Sequence, residues 1–140
     1  MQHWKNRTQA TKLMTQRERT DLMVAPRLHL QMILGGQLEP EYLHSVAGVF
    51  NIAGAMANYR RRRELEERFD RAQLIMAILI EELRAPTTEE AQLVTDSFNA
   101  ADRLLSCQNK TDLAKVIAYV ERRISRGDVV KPQSTKGEQT

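Results

Sequence analysis

Apolar residues recur along this chain at every third or fourth position, the spacing of one helix face, and nowhere alternate with the period of two that marks a half-buried strand. The strongest instance is residues 61–84. There Leu65, Phe69, Ala72, Met76, Leu79 and Leu83 step by 4, 3, 4, 3, 4, a heptad-like seam lasting less than three heptads. Leu74, Ile75, Ile78 and Ile80 widen the seam until the C-terminal half is apolar nearly all round. A helix apolar on most sides lies in the middle of something. The pattern therefore predicts either the central helix of a bundle or a helix that also serves an oligomer interface.

Other stretches carry narrower faces. Pro40 suits the first residue of a helix whose face is Leu43, Val46, Ala47, Phe50, Gly54 and Ala57. Ala47, Gly48, Ala53, Gly54, Ala55 and Ala57 make this segment rich in small residues. Each glycine costs about 1 kcal/mol in a helix interior, so two of them suggest the close approach of another backbone. That backbone belongs either to this chain or to a partner across a homodimer seam. Residues 40–84 form one bent helix or two antiparallel ones. A further helix over 88–106 turns Val94, Phe98, Ala101 and Leu105 inward, and a last one near 111–126 carries Leu113, Val116, Ile117, Val120 and Ile124.

Local chemistry marks the ends. Thr15–Glu18 and Thr87–Glu90 have the form of capping boxes, in which the two side chains satisfy each other's free backbone amides. Gly35-Gly36 and Gly127 are helix stops. Pro26 ends a first helix, kinks it, or opens the next. The fold class predicted is all-α: a four- to five-helix bundle with a disordered N-terminal arm and C-terminal tail. Its divisions are a flexible basic arm at 1–14, a single helical domain at 15–127 and a disordered tail at 128–140.

Composition adds limits. A chain of 140 residues buries roughly 68% of its unfolded surface, enough for one core. The formal charge of +3 is unevenly placed. Lys5, Arg7, Lys12, Arg17 and Arg19 against Glu18 give residues 1–19 a net +4, which leaves −1 for the remaining 121 residues. The basicity belongs to the arm, and the body is near neutral. The longest apolar run, Leu74 to Ile80, is seven residues, whereas a membrane span needs about 20. No apolar signal segment opens the chain. A soluble, cytoplasmic protein is expected, and the single Cys107 is compatible with a reducing compartment.

Candidate chemistry is sparse. Cys107 has no histidine near it in sequence to activate it, and reads as a lone buried or half-buried cysteine. His3 falls in the arm, while His29 and His44 lie on different helices without metal-ligand spacing and read as boundary residues. The pairs Glu66-Glu67, Glu81-Glu82 and Glu89-Glu90 diverge by about 100° on a helix and do not converge as an acid–base pair would. No catalytic, cofactor-binding or metal-binding residues are assigned, and an enzyme is not expected.

What remains is charge. Arg60, Arg61, Arg62 and Arg63 run directly into Glu64, Glu66 and Glu67. Arg62 and Arg63 have Glu66 and Glu67 one helical turn away, a spacing that allows pairing. Arg60 and Arg61 lack such partners beyond Glu64, and are the half expected to seek an external one. The planar fork of arginine fits carboxylates and phosphates alike. The four arginines are thus the candidate anchor for a partner protein or nucleoprotein complex, with a possible homodimer through the 40–84 helices. The alternative is a DNA-binding regulator that uses Arg122, Arg123 and Arg126 of the last helix with Lys5, Arg7 and Lys12 of the arm. The short link at Gln108–Lys110 would then be the turn of a helix-turn-helix.

The chain also resembles a group of small helical proteins from phages, plasmids and integrative elements of proteobacteria. The resemblance rests on Pro26-Arg27-Leu28-His29-Leu30 through Gly35-Gly36, then on Leu43 and Val46-Ala47-Gly48-Val49-Phe50-Asn51-Ile52-Ala53. It continues at Arg71-Ala72-Gln73 and Ala100-Ala101-Asp102-Arg103-Leu104-Leu105, and ends at Val120-Glu121-Arg122-Arg123-Ile124. The link before the second helix departs from the Arg-Gly-rich form of that group, which has no established activity to transfer. The resemblance implies an accessory protein of a mobile element that works by binding. It would block a host defence complex, as an anti-CRISPR-type inhibitor does, or regulate the element's own genes.

Overall fold

The computed structural model describes the backbone of residues 16–125 and the side chains of residues 22–125. Five helices fill this span: α1 Gln16–Leu34, α2 Pro40–Tyr59, α3 Arg63–Glu82, α4 Thr88–Ser106 and α5 Lys110–Ser125. No strand occurs among the described residues. The arm at 1–14, the Thr15–Glu18 box, Gly127 and the tail at 128–140 lie outside what is described, as do Lys5, Arg7, Lys12 and Arg126.

The centre of the bundle is α2, not α3. α2 packs against each of the other four helices, whereas α3 packs on α2 and α4. Seven α2 residues are buried, among them Leu43, Val46, Phe50, Ala53 and Met56. The breadth of the apolar pattern on α3 pointed the other way. That breadth is partly surface: Leu74 is 44% exposed and Ile78 only half-buried, while Phe69, Ala72, Met76 and Leu79 form the inward face. Leu83, expected to close the seam, is exposed, because it takes a left-handed backbone (φ 51°) just past the helix end.

Residues 40–84 form two helices. Their contacts recede in step from the junction: Asn58 Nδ2 donates to Glu66 Oε2, Gly54 lies beside Phe69, and Gln73 Nε2 donates to Asn51 Oδ1. That order makes α2 and α3 an antiparallel hairpin. The Phe50 ring lies 6.4 Å from both Phe69 and Phe98, offset on the first and edge-on to the second. This three-ring contact ties α2, α3 and α4 into one core.

The two α2 glycines do not serve a close backbone approach among the described residues. A Cβ at Gly48 would meet nothing within 4 Å, and one at Gly54 would make an ordinary 3.8 Å contact with Phe69 Cβ.

α1 runs through Pro26 without a break. The proline removes one amide donor from the ladder, and the burial of Met23, Leu30 and Ile33 on α2 and α4 offsets that loss. The helix stops where expected. Gly36 adopts φ 93°, and the amides of Gly36 and Gln37 bond back to the carbonyls of Ile33 and Met32 at 3.0 and 2.8 Å. α4 opens with the Thr87–Glu90 capping box complete: Glu90 N donates to Thr87 Oγ1 at 3.1 Å, and Thr87 N to Glu90 Oε1 at 2.9 Å. Val94, Phe98, Ala101 and Leu105 are all buried as their spacing predicts.

Candidate partner-binding corner

The arginine run sits at the tip of the α2–α3 hairpin. The α2 helix ends by the same device as α1. Arg61 N donates to Asn58 O at 3.0 Å and Arg62 N to Ala57 O at 2.8 Å, with Arg61 in the left-handed position at φ 58°. Glycine is favoured there, and an L-residue with a side chain is strained by roughly 1–2 kcal/mol. The turn therefore holds an arginine at the one position where removing the side chain would ease the backbone.

Arg60 is engaged inside the molecule. Its Nε donates to Gln108 Oε1 at 2.9 Å, and its terminal nitrogen bonds Asp112 Oδ2. Asp112 is also bonded by Tyr59 Oη at 3.3 Å and Asn109 Nδ2 at 3.1 Å, and its own amide donates to Asn109 Oδ1 at 2.8 Å. Gln108 is in turn buried, with its Nε2 donating to Leu104 O. The guanidinium also lies 5.1 Å from the Tyr59 ring centre. The bond from Arg60 holds the Asp112 carboxyl below its ordinary range. The result is a clamp that fastens the end of α2 to the α4–α5 link.

This departs from the expected division of the run at three of its four positions, and Arg61 alone stands unpartnered as expected. Arg60, read as needing an external partner, has an internal one. Arg62 and Arg63, read as satisfied by Glu66 and Glu67, pair with neither among the described residues. Glu66 accepts from Asn58 instead. Three exposed guanidinium groups, on Arg61, Arg62 and Arg63, are left without a hydrogen bond or ion pair among the described residues. Beside them stand Glu66, Glu67 and Asp70. Partial burial, then the charges of Glu66 and Glu67, raise the Asp70 carboxyl above its ordinary range, although much of the residue faces solvent. The corner is thus dipolar, basic at the tip and acidic one turn along α3.

The other candidates are dispersed. On α5, Arg122 is exposed, while Arg123 folds back to donate to Tyr119 Oη at 2.7 Å. Ile124, expected in the core stripe, is 55% exposed. His29 stacks on Tyr42 with ring centres 4.9 Å apart, and His44 is exposed, so the two do not share a site. Cys107 is exposed rather than buried or half-buried. Among the described residues no three His, Cys, Asp or Glu side chains gather into a metal cage. No helix there is long and apolar enough to cross a membrane.

Sequence reasoning missed Asp112, Gln108 and Tyr59. The spacing Asn109-Lys110-Thr111-Asp112 is a helix-start signal, but nothing local to it points to Arg60. No family model matches the chain, and neither the curated proteins nor the solved structures contain a match to it.

Proposed function

We propose that this is a non-enzymatic binding protein that grips a carboxylate-bearing protein surface through Arg61, Arg62 and Arg63. One observation carries the reading. Three adjacent guanidinium forks stand free at a turn whose backbone is pinned on one side by helix-ending bonds and on the other by the Arg60 clamp. A turn with a pinned backbone loses less freedom on binding than a loose one, and bidentate pairing with carboxylates is the use the planar geometry of arginine suits best. In the setting implied by the resemblance, the partner is a host protein or nucleoprotein complex against which a mobile element acts.

A protein surface fits this corner better than nucleic acid does. A phosphate backbone laid across the tip would run onto Glu66, Glu67 and Asp70. The DNA-binding alternative through α5 meets a second obstacle. A recognition helix reads bases with its N-terminal residues, and here that turn holds Asp112, closed over by Arg60 and Tyr59.

Affinity capture from a nuclease-treated bacterial lysate, run in parallel with the chain and with an Arg61→Glu/Arg62→Glu variant, tests the reading. The expected result is a protein retained by the first and lost by the second. A partner held equally by both, or a DNA gel shift whose affinity falls steeply with salt, would refute it.

A further inference from the structure

α5 is held along one face only. It buries Leu113, Val116 and Val120 and packs chiefly on α2. To one side of that buried stripe, at spacings of three and four, stand Asp112, Lys115, Tyr119 and Arg122. Glu121 falls on the other side of the stripe. Lys115 and Arg122 are exposed and have no ion pair among the described residues. Asp112 already has Arg60. The charge that these four residues leave unpaired is therefore all positive.

Two tyrosines on this side are braced yet open to solvent. Tyr59, at the end of α2, donates its hydroxyl to Asp112 Oδ1, and the Arg60 guanidinium lies over its ring. Tyr119 accepts from Arg123 Nη1 at 2.7 Å, with that guanidinium 5.5 Å from the ring centre. Even so, Tyr59 is 46% exposed and Tyr119 44%. Asp112 and Tyr119 are two turns apart, about 10 Å of helix, and Lys115 stands between them. A side chain already fixed by its neighbours loses little rotamer freedom when it is covered. Tyrosine and arginine are also the residues most enriched at the energetic centres of protein interfaces.

We propose that the arginine corner continues along α5 as one docking surface for an acidic protein segment that carries aromatic side chains. Tyr59 directly precedes the arginine run, and its hydroxyl reaches the first turn of α5, so the two parts adjoin. Carboxylates of the partner meet Arg61, Arg62 and Arg63 at the tip and Lys115 and Arg122 along the helix. An aromatic ring of the partner covers Tyr119. The proposal rests on the reading of the corner as a carboxylate-binding surface and names the chemistry of the partner beyond it. Single-stranded nucleic acid also binds through basic and aromatic side chains, by stacking bases on open rings. Here a guanidinium already occupies one side of each ring, and the Asp112 carboxylate stands between the two tyrosines. A protein segment can place its carboxylates to either side of Asp112, whereas a phosphate backbone carries charge at every step.

Polymers of defined chemistry test the surface directly. At low salt, fluorescence anisotropy should show a labelled glutamate–tyrosine copolymer bound about fivefold more tightly than polyglutamate of equal charge. Tyr119→Ala should abolish that preference, while Tyr119→Phe, which keeps the ring, should retain it. Lys115→Glu/Arg122→Glu should weaken both polymers by about tenfold while leaving the buried stripe of α5 untouched. Equal affinity for the two polymers, indifference to the α5 reversals, or tighter binding of oligo(dT) than of either polymer would overturn the proposal. Arg61→Glu/Arg62→Glu separates it from the reading it extends. A copolymer released by the α5 reversals but not by the tip pair would refute the corner and confine the surface to α5. One released by the tip pair alone would leave the corner standing and remove α5 from it.

Discussion

Arg60 bonds Asp112 across 52 residues of chain and, with Gln108 and Tyr59, joins the end of α2 to the start of α5. Removing Asp112 strands several donors at once: Arg60, the Tyr59 hydroxyl and the Asn109 amide. Asp112→Ala should therefore lower unfolding stability by about 1–2 kcal/mol, more than an isolated surface pair would. Chemical denaturation of Arg60→Met, Asp112→Ala and the double variant should show non-additivity. Additive losses would mean that the two side chains do not interact.

Arg61 makes the opposite prediction. Its backbone is left-handed at φ 58° and its side chain has no partner among the described residues. Arg61→Gly should raise stability by about 1 kcal/mol through relief of the Cβ contact, while weakening capture of the acidic partner. A gain in melting temperature together with a loss of binding would identify Arg61 as kept for recognition at the expense of stability. A loss of stability would place its role in the fold.

How far these features could be read in advance depended on the range of the interaction. The face Val94, Phe98, Ala101, Leu105 and the Thr87–Glu90 box were legible because a helix face and a cap are set within one or two turns. The choice of central helix was not. Ile75, Ile78 and Ile80 look like core by composition, and only the packing of α2 against four neighbours leaves α3 on the flank. The arginine run was misread for a similar reason. Spacing rules see Glu66 and Glu67 four residues from Arg62 and Arg63, but they cannot see Asn58 taking Glu66 or Asp112 arriving from the other end of the chain.

Acid should loosen the start of α4. Glu90 accepts two bonds from Arg84, at 2.8 and 3.0 Å, and one from the Thr87 amide. The Arg84 bonds first, then the Thr87 amide, lower its pKa from 4.5 to about 2. A carboxyl depressed in the folded state contributes stability that is fully present above the unfolded value and lost as protons bind. Stability should thus fall as pH drops from about 4.5 toward about 2. Glu90→Gln should flatten that part of a denaturation-versus-pH profile, leaving the smaller slope due to Asp112. Thr87→Ala should cost about 1 kcal/mol at neutral pH by removing the cap.

Asp70 runs in the reverse sense. Its carboxyl is raised by partial burial and by Glu66 and Glu67. The folded state then binds its proton more tightly than the unfolded chain does, so this group stabilises as pH falls and opposes folding once ionised. Asp70→Asn should be neutral to stabilising at pH 7, by a few tenths of a kcal/mol given its exposure. A clear loss of stability would mean that the Asp70 carboxylate has a favourable partner.

The ends of α3 carry charges that the helix dipole disfavours, Arg63 at its start and Glu81 in its last turn. Arg63→Glu puts negative charge at the N-terminal end of the helix, and Glu81→Arg puts positive charge at its C-terminal end. Each change agrees with the macrodipole, and should raise stability by about 0.3–1 kcal/mol at low ionic strength. Thermal melts at low salt should therefore rise for both variants, and the gain should shrink as salt screens the charges. A melt that falls instead would mean that the native charge has a favourable partner that outweighs the dipole.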